Sequence, residues 1–518
     1  MARQIHILWT DDEIDLLKPY ILFLEEKEYK ITTASNGTDA IELVRVNDFD
    51  LIFLDENMPG ISGLETLEQI KGITPSTPVV MITKNEEEDI MDEALGGKIS
   101  DYLIKPVNPK QILLTIKKNI DTRRLVTEKT TSDYQSQFGQ IGMNINSARS
   151  FSDWADIYRR LVYWEMEFES SNNSGMDEVL RMQKSEANNG FSRFIRTNYS
   201  GWFSGQPDDA PLLSHQLFRQ KVFPLLEKDK VVVVLIDNLR YDQWRVIEKE
   251  VVDLFRTDEE TLFSSILPTA TQYARNAMFS GMMPAEIQKR YPTLWIDENE
   301  EGGKNAHEAE LCRNQMQQLG LNSSFNYEKI SNQRAGKKIL ENYRDLLNYD
   351  LNILVYNFVD MLSHARTEME MIRELAFDES SYRSLMHSWF QHSYLYELIK
   401  QLAGHDLKLV ITTDHGAVRV SNPVKVIGDR QTSSNLRYKQ GKNLNYNKKE
   451  VYEITRPDEI QLPKSNVTTS YIFAMNNDFM VYPNNYNHFV NHFRNTFQHG
   501  GISLEEMMIP AAVLSPVR

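Results

Sequence analysis

Short apolar runs that break off at an acidic residue recur along this chain. Gln4–Thr10 (QIHILWT) leads into Asp11 and Asp12, and Leu51–Leu54 leads into Asp55. Val231–Ile236 (VVVVLI) leads into Asp237, Leu351–Val359 into Asp360, and Lys408–Ile411, through two threonines, into Asp414. Runs this short and this rich in valine, leucine and isoleucine read as strands buried on both faces. Two more end on other polar groups, Val79–Ile82 on Thr83 and Asp101–Ile104 on Lys105. Stretches of helical period, Ile14–Glu26 and Gly37–Val46, alternate with the early strands. That alternation predicts an α/β fold whose sheets are mainly parallel. Such sheets hold their sites beyond the carboxyl ends of their strands, where these polar residues fall.

A chain of 518 residues suits two to four domains. Changes in composition divide it at 1–120, 121–205 and 206–518. The net charge of −16 argues against sequence-independent binding along duplex DNA, which needs many cations near phosphates. No helix-turn-helix pair with a basic second helix is apparent either. Cys312 is the only cysteine, which excludes a disulfide framework and a cysteine-based zinc site. A reducing, cytoplasmic setting fits. The opening MARQIHILWTDDE has no signal-peptide core, and no apolar run reaches the length of a membrane span.

In residues 1–120 the strand-end residues form one phosphate-handling set. Phosphorylating a carboxylate puts a phosphate beside existing negative charge. A divalent cation held by Asp12, Asp55 and the backbone carbonyl of Asn57 would offset that charge, with Asp11 completing the acidic pair. Lys105 can neutralise one phosphoryl oxygen and the Thr83 hydroxyl can donate to another. The order Asp11-Asp12, Asp55, Thr83, Lys105 resembles a response-regulator receiver domain. The resemblance implies a doubly wound five-stranded parallel sheet, phosphorylation of Asp55, a bound Mg and a sensor histidine kinase as phosphodonor. Tyr102 falls where that family carries its aromatic switch residue. Trp9 and Thr10 stand where apolar residues are more usual.

Residues 121–205 read as a helical connector. Phe151, Trp154, Ile157, Tyr158, Leu161, Val162 and Trp164 fall at helical spacing, which predicts an amphipathic helix over 148–168. Residues 171–175 (SSNNSG from 170) break it, and a second helix is expected over 176–187. The aromatic stripe is core packing of a small bundle or, on a sharper reading, a dimer interface. Gly201–Pro211 marks the next boundary.

In residues 206–518, acids and imidazoles gather as metal ligands. Asp360 and His364 are four apart, so both can hold one ion if Asp360 opens a helix. Asp414 and His415 are adjacent and can point to neighbouring positions. His499 precedes Gly500-Gly501, a loop able to bring its ring over the site. Carboxylate with imidazole suits zinc, or manganese after it. Two such ions hold the attacking and leaving oxygens of an in-line displacement and activate a hydroxyl that is otherwise a poor nucleophile. Thr271 precedes a helical stretch from Tyr273 to Phe279, whose first N–H groups suit a phosphate. Thr269 is a rival for the same role.

The stretches IDNLRYD (236–242), PTATQYARNAMFSG (268–281), FVDMLSH (358–364), TTDHG (412–416) and QHGG (498–501) resemble the PglZ branch of the alkaline phosphatase superfamily. The resemblance implies a large α/β domain and Thr271 as nucleophile. It implies one zinc on Asp360, His364 and His499, and another on Asp237, Asp414 and His415 with Thr271 beside it. A receiver followed by such a domain resembles the PorX-type response regulators. That resemblance implies a link to type IX secretion control, with a sigma factor or a secretion-system component as candidate partners.

Between 419 and 449 lie Arg419, Lys425, Arg430, Arg437, Lys439, Lys442, Lys448 and Lys449 against a single acid, Asp429. With Tyr438 and Tyr446 interleaved, this stretch reads as a landing surface for a polyanion, with Arg437, Lys439 and Lys442 as its candidate contacts. His488 and His492, His387 and His392, His307 and His405 read as structural. The leading expectation is a zinc-dependent phosphodiesterase acting on nucleotides or short oligonucleotides, cyclic ones included. It would be switched by Asp55 through phosphorylation-dependent homodimerisation. The alternatives are a phosphomonoesterase with the same residues and a catalytically silent metal-binding adaptor.

Overall fold

The computed structural model describes residues 4–74, 77–84, 99–171, 176–204, 210–298, 300, 302–428, 432–464, 466 and 468–517. The chain divides into two compact units, Met1–Gln137 with Glu167–Asp177, and Phe138–Met166 with Glu178–Arg518.

The first unit contains β1 (His6–Thr10), β2 (Lys30–Ala34), β3 (Leu51–Asp55), β4 (Val79–Thr83) and β5 (Asp101–Ile104). They form a parallel sheet in the order β2-β1-β3-β4-β5. Side chains alternate between faces along each strand. Leu8, Ile52, Leu54, Val79 and Met81 therefore pack against Ala40, Ile41, Val44, Leu67 and Ile70 of helices Gly37–Val46 and Gly63–Ile73. Ile7, Trp9, Leu51, Phe53, Val80 and Ile82 pack on the other face against Leu24, Ile112 and Ile116. Trp9 is fully buried there, so its unusual presence adds to the core. Asn36 caps the first of these helices and a Ser62–Glu65 capping box starts the second.

The second unit is built on six strands. They are β6 (Val231–Ile236), β7 (Phe255–Ser264), β8 (Phe325–Ile330), β9 (Leu351–Tyr356), β10 (Lys408–Thr412) and, from the far end of the chain, Met508–Pro516. The order is β7, Met508–Pro516, β10, β6, β9, β8. β10, β6, β9 and β8 run parallel, while Met508–Pro516 is antiparallel to both its neighbours. β6, the all-apolar VVVVLI, is fully buried. The strand before Asp360 is shorter than its apolar run suggests. It stops at Tyr356, and Asp360 sits in the first turn of helix Phe358–Glu368. Smaller sheets flank this one, among them a three-stranded sheet of Tyr438–Gly441, Ser470–Ala474 and Val451–Ile454.

The connector is helical, in helices Pro109–Ser147, Phe151–Ser171 and Asp177–Asn198. Helix Phe151–Ser171 takes in the first residue of the break expected at 171–175; residues 172–175 of that break and the boundary residues Gly205 and Pro207 lie outside the described residues. Trp154, Tyr158, Leu161 and Val162 are buried within the second unit. Trp154 meets Phe191 edge-on at 5.9 Å and Tyr158 lies 5.7 Å from Tyr241. The aromatic stripe is therefore spent inside the chain and is not an open interface.

Candidate active site

In the first unit, the parallel sheet brings Asp11, Asp12 and Asp55 together with carboxylate oxygens within 4.8 Å of one another. Asp11 and Asp55 are buried and Asp12 is exposed, which leaves the cluster one open side. The Lys105 amine lies 2.9 Å from Asp11 and 2.8 Å from Asp55. Burial raises the Asp55 carboxyl above its ordinary value; the hydrogen bond from Lys105 works against that and Asp11 adds to it. Thr83 is buried at the end of β4. Tyr102, on β5, is 40% exposed, so it is not packed into the core.

In the second unit, neighbouring strands deliver the remaining candidate ligands. Asp237 follows β6, and Asp414 and His415 follow the adjacent β10 after Thr413. The three fall within 4.8 Å of one another and are buried. Asp360, His364 and His499 form a second group of the same size, with His364 exposed. These two groups and the acidic trio of the first unit are the only ones of this kind among the described residues. The rings of His415 and His499 stack at 4.2 Å, so the two groups are neighbours.

The imidazoles are oriented from behind. His415 Nδ1 lies 3.1 Å from the Gly416 carbonyl and His499 Nδ1 lies 3.1 Å from the Thr269 carbonyl. A carbonyl only accepts, so each Nδ1 carries the proton and each Nε2 keeps its lone pair. Both Nε2 atoms face carboxylates, His415 at 3.8 Å from Asp237 and His499 at 3.8 Å from Asp360. Burial, followed by the charge of His415, holds the His499 imidazole down at about 3, so it stays neutral. Imidazoles backed by carbonyls and set opposite carboxylates are donors of the kind a divalent metal ion takes.

Thr271 begins helix Thr271–Ser280, and Ala270 before it offers no side-chain cap. The Tyr273 N–H turns back to the Ala270 carbonyl at 2.9 Å, which leaves the N–H groups of Thr271 and Gln272 at the helix start to face a ligand. Thr271 Oγ1 lies 3.1 Å from His415 Nε2 and 3.4 Å from Asp237 Oδ1. Thr269 is otherwise engaged. Its hydroxyl donates to the Gly501 carbonyl at 2.9 Å and accepts from the Gly500 N–H at 3.0 Å. It fastens the loop that carries His499.

Several residues here were not singled out in the sequence. Arg275, one helical turn after Thr271 and fully buried, pairs with Asp237, with Asp414 at 3.0 Å and with Glu308 at 3.5 Å. Burial would push both aspartates up. Arg275 and then His415 bring Asp414 down to about 2, whereas Asp414 and Asp360 help to keep Asp237 well above the usual range. Asn238, with a left-handed φ of 66°, donates its backbone N–H to Asp414 at 3.4 Å and its side-chain amide to Asp360 at 3.4 Å, so it spans both candidate ligand groups. The available signals were an arginine among Ala274, Ala277, Met278 and Phe279, and an asparagine directly after a strand-end aspartate.

Comparison with known proteins follows this geometry. Residues 217–514, more than half of the chain, match the model of the BREX system PglZ alkaline phosphatase-like domain. The chain belongs to the PglZ family. Ahead of its PglZ domain, residues 7–117 match the response regulator receiver domain and 124–203 the PorX response regulator linker domain. The PglZ chain is thus a PorX-type response regulator, and domains of both its receiver and alkaline phosphatase-like kinds generally use metal ions. It is 36% identical over 141 residues to the transcriptional regulatory protein ZraR of Klebsiella oxytoca, which covers 27% of this chain and 32% of that one. It is 35% identical to ResD of Bacillus subtilis (strain 168), covering 22% and 48%. The PglZ chain spans about a third of the length of the curated ZraR relatives it matches. Solved structures similar to it include a CheY-like receiver domain protein from Methanospirillum hungatei JF-1, with 26% identity, TM-score 0.23, and 23% of this chain and 96% of that one covered. Another is the response regulator TrrA of Thermotoga maritima, with 29% identity, TM-score 0.21, and 22% and 98% covered.

The basic stretch of the PglZ domain needs correction. Arg437 is fully buried and pairs with Glu506, and its guanidinium also donates to the carbonyls of Met475, Asn476 and Asp478. Lys439 is 1% exposed, donates to the Ser433 carbonyl and lies over the Tyr482 ring. Neither is displayed to a polyanion, because a charge run in sequence does not say which cations the sheet turns inward. Lys442 is partly exposed and Arg430 lies outside the described residues. His387 meets Glu250 at 2.7 Å, a structural contact as expected. No helix of the described residues is long and apolar enough to cross a membrane.

Proposed function

We propose that this PglZ-family response regulator is a zinc-dependent phosphodiesterase, acting on nucleotides or short oligonucleotides, cyclic ones included, and switched by phosphorylation of Asp55 by a sensor histidine kinase. The observation that carries the reading is the position of the Thr271 hydroxyl, 3.1 Å from His415 and 3.4 Å from Asp237 at an uncapped helix start. Asp237, Asp414 and His415 would hold one zinc, and Asp360, His364 and His499 the other. Bound there, the pair would supply Lewis acidity and offset charge on the phosphoryl oxygens. Thr271 attacks phosphorus and the ester oxygen leaves. Water then cleaves the phosphothreonine, and the first-turn N–H groups hold the phosphoryl oxygens throughout. In the receiver, Asp12, Asp55 and the Asn57 carbonyl would hold Mg, with Thr83, Lys105 and Asp11 around the phosphoryl group and Tyr102 reporting its arrival.

The proposed layout remains three-part, at 1–120, 121–205 and 206–518, with output read through a phosphorylation-dependent homodimer. We place the protein in the cytoplasm, with type IX secretion control as its setting. Purified protein loaded with zinc should hydrolyse a model phosphodiester faster than the matching monoester. Thr271→Ala should keep its zinc and lose about 10²-fold or more in kcat. Equal turnover in Thr271→Ala removes the nucleophile assignment. A faster monoester rate makes the enzyme a phosphomonoesterase. Zinc without any turnover leaves a metal-binding adaptor.

A further inference from the structure

Behind the candidate metal centre lies a buried network of seven charged side chains. Lys184 lies 2.7 Å from Glu165, 3.0 Å from Glu379 and 4.0 Å from Glu505. Arg383 joins Glu165 at 3.1 Å to Asp242, and Arg240 joins Asp242 to Glu379 at 3.6 Å. Arg240, Asp242, Arg383 and Glu505 are nearly inaccessible, and only Glu379 has a quarter of its side chain exposed. Charges this far from water persist only when each has partners, and removing one leaves the others uncompensated. Burial works against the Lys184 ammonium, but Glu165, Glu379 and Glu505 together hold its proton firmly in place.

The members come from two sets of elements. Glu165 and Lys184 belong to the connector helices Phe151–Ser171 and Asp177–Asn198. Arg240 and Asp242 lie three and five residues after Asp237. Glu505 follows the His499 loop, and its carbonyl sits against Gly416, where a Cβ would meet it at 2.1 Å. Gly416 is the residue after His415, whose Nδ1 faces its carbonyl. Connector residue Asn188 adds direct bonds, accepting from the Leu504 N–H at 2.8 Å and donating to Glu505 at 3.0 Å. The connector thus meets the segment after His499 directly at Leu504 and Glu505, and reaches the loops after Asp237 and His415 through Arg240, Asp242 and Glu505.

We propose that the connector helices are a working part of the metal centre, with Lys184 and Asn188 as positioning residues that fix the loops carrying Asp237, His415 and His499. This rests on the reading of those residues as zinc ligands and adds that their geometry is set by side chains of the linker. A linker that only tethers two domains has no need of a buried ammonium shared among three carboxylates of different elements. The network holds three cations, Lys184, Arg240 and Arg383, against four carboxylates, Glu165, Asp242, Glu379 and Glu505. Lys184→Met therefore doubles its excess of negative charge from one to two, and Lys184→Met with Glu505→Gln returns it to one.

The test is zinc affinity, measured on the full chain against a competing chelator, alongside far-UV circular dichroism and turnover of a model phosphodiester. Lys184→Met is expected to weaken zinc binding by roughly 10- to 100-fold, the usual effect of losing support behind a ligand. The double variant should recover most of that loss. If Lys184→Met does not fold, Asn188→Ala gives the same reading with no charge removed, and its zinc affinity should fall as well. Unchanged zinc affinity in folded Lys184→Met or Asn188→Ala overturns the proposal, even if either melts at lower temperature. Failure of the double variant to recover overturns the role of charge balance. Wild-type protein that binds zinc but turns nothing over defeats the hydrolase reading and leaves this one standing.

Discussion

At the scale of single residues, Lys439 shows how burial overrides charge. Its amine has one carbonyl and one aromatic face for company. Burial brings it down to about 7, and Glu298 offsets only part of the effect. In the unfolded chain the same amine titrates at about 10.4. Between these values the unfolded chain holds a proton that the folded chain lacks, so stability from this group rises with pH across the window. Below pH 7 both states are protonated and the full penalty is present. Lys439→Met should therefore be more stable than wild type at pH 7, by on the order of a few kcal/mol at most. That advantage should shrink toward pH 10. Urea titrations of both proteins at pH 7 and pH 10 check it, and a pH-independent difference contradicts it. The same residue shows what the sequence hid. Asp237, Asp414, His415 and Thr271 were legible because each stands at the end of an apolar run or the start of a helix. Whether Lys439 or Arg437 faces inward depends on pairing with Ser470–Ala474, which no local pattern encodes. Arg275 was hidden for the opposite reason: its role appears only once Asp237 and Asp414 are brought to it by two different strands.

At the scale of elements, the loop His499–Gly501 and the helix Thr271–Ser280 share one proline-threonine segment but use its two threonines differently. Gly500 has a φ of +121°, and a Cβ on Gly501 would lie 2.5 Å from the Ala474 carbonyl, so both glycines are dictated by backbone geometry. Thr269 then satisfies the loop's N–H and C=O. Thr269→Val should leave both buried and unpaired, at a cost of about 1–3 kcal/mol, and loosen zinc at the His499 group. Thr271→Val removes a hydroxyl at the open site and should abolish turnover with little change in stability. Guanidinium unfolding and zinc titration of the two variants separate the roles; equal destabilisation would mean that the assignment of the threonines is wrong. The strands that end at site residues were the readable ones: Val231–Ile236 and Asp101–Ile104 coincide with their apolar runs, Leu351–Val359 overran its strand by three residues, and Phe255–Ser264, Phe325–Ile330 and Met508–Pro516 were not read as strands. Helix ends were less readable. The second connector helix continues past Ala187 to Asn198, because Phe191 and Ile195 bury against the unit while polar residues between them mask the period.

At the scale of the whole molecule, the two compact units have separate ligands and hence separate handles on stability. A ligand that binds only folded protein stabilises it by about 2.7 kcal/mol at a hundredfold excess over its Kd. On the proposed reading zinc would take the carboxylate–imidazole groups of the second unit, and Mg with beryllofluoride, a phosphoryl mimic, would take Asp11, Asp12 and Asp55 in the first. Calorimetry should resolve two transitions. Removing zinc with a chelator should lower the second unit's transition, and Mg with beryllofluoride should raise the first unit's. Asp55→Asn should abolish only the latter shift. A regulated enzyme requires something more, because phosphorylation that alters the output must alter the free energy of the metal-bearing unit. By linkage, the mimic then changes zinc affinity by the same factor as zinc changes affinity for the mimic, with a coupling of about 1–3 kcal/mol. Measuring both affinities in both backgrounds closes that cycle. Equal factors above one measure the coupling, and factors of one would leave a receiver and a phosphoesterase that share a chain without communicating through it.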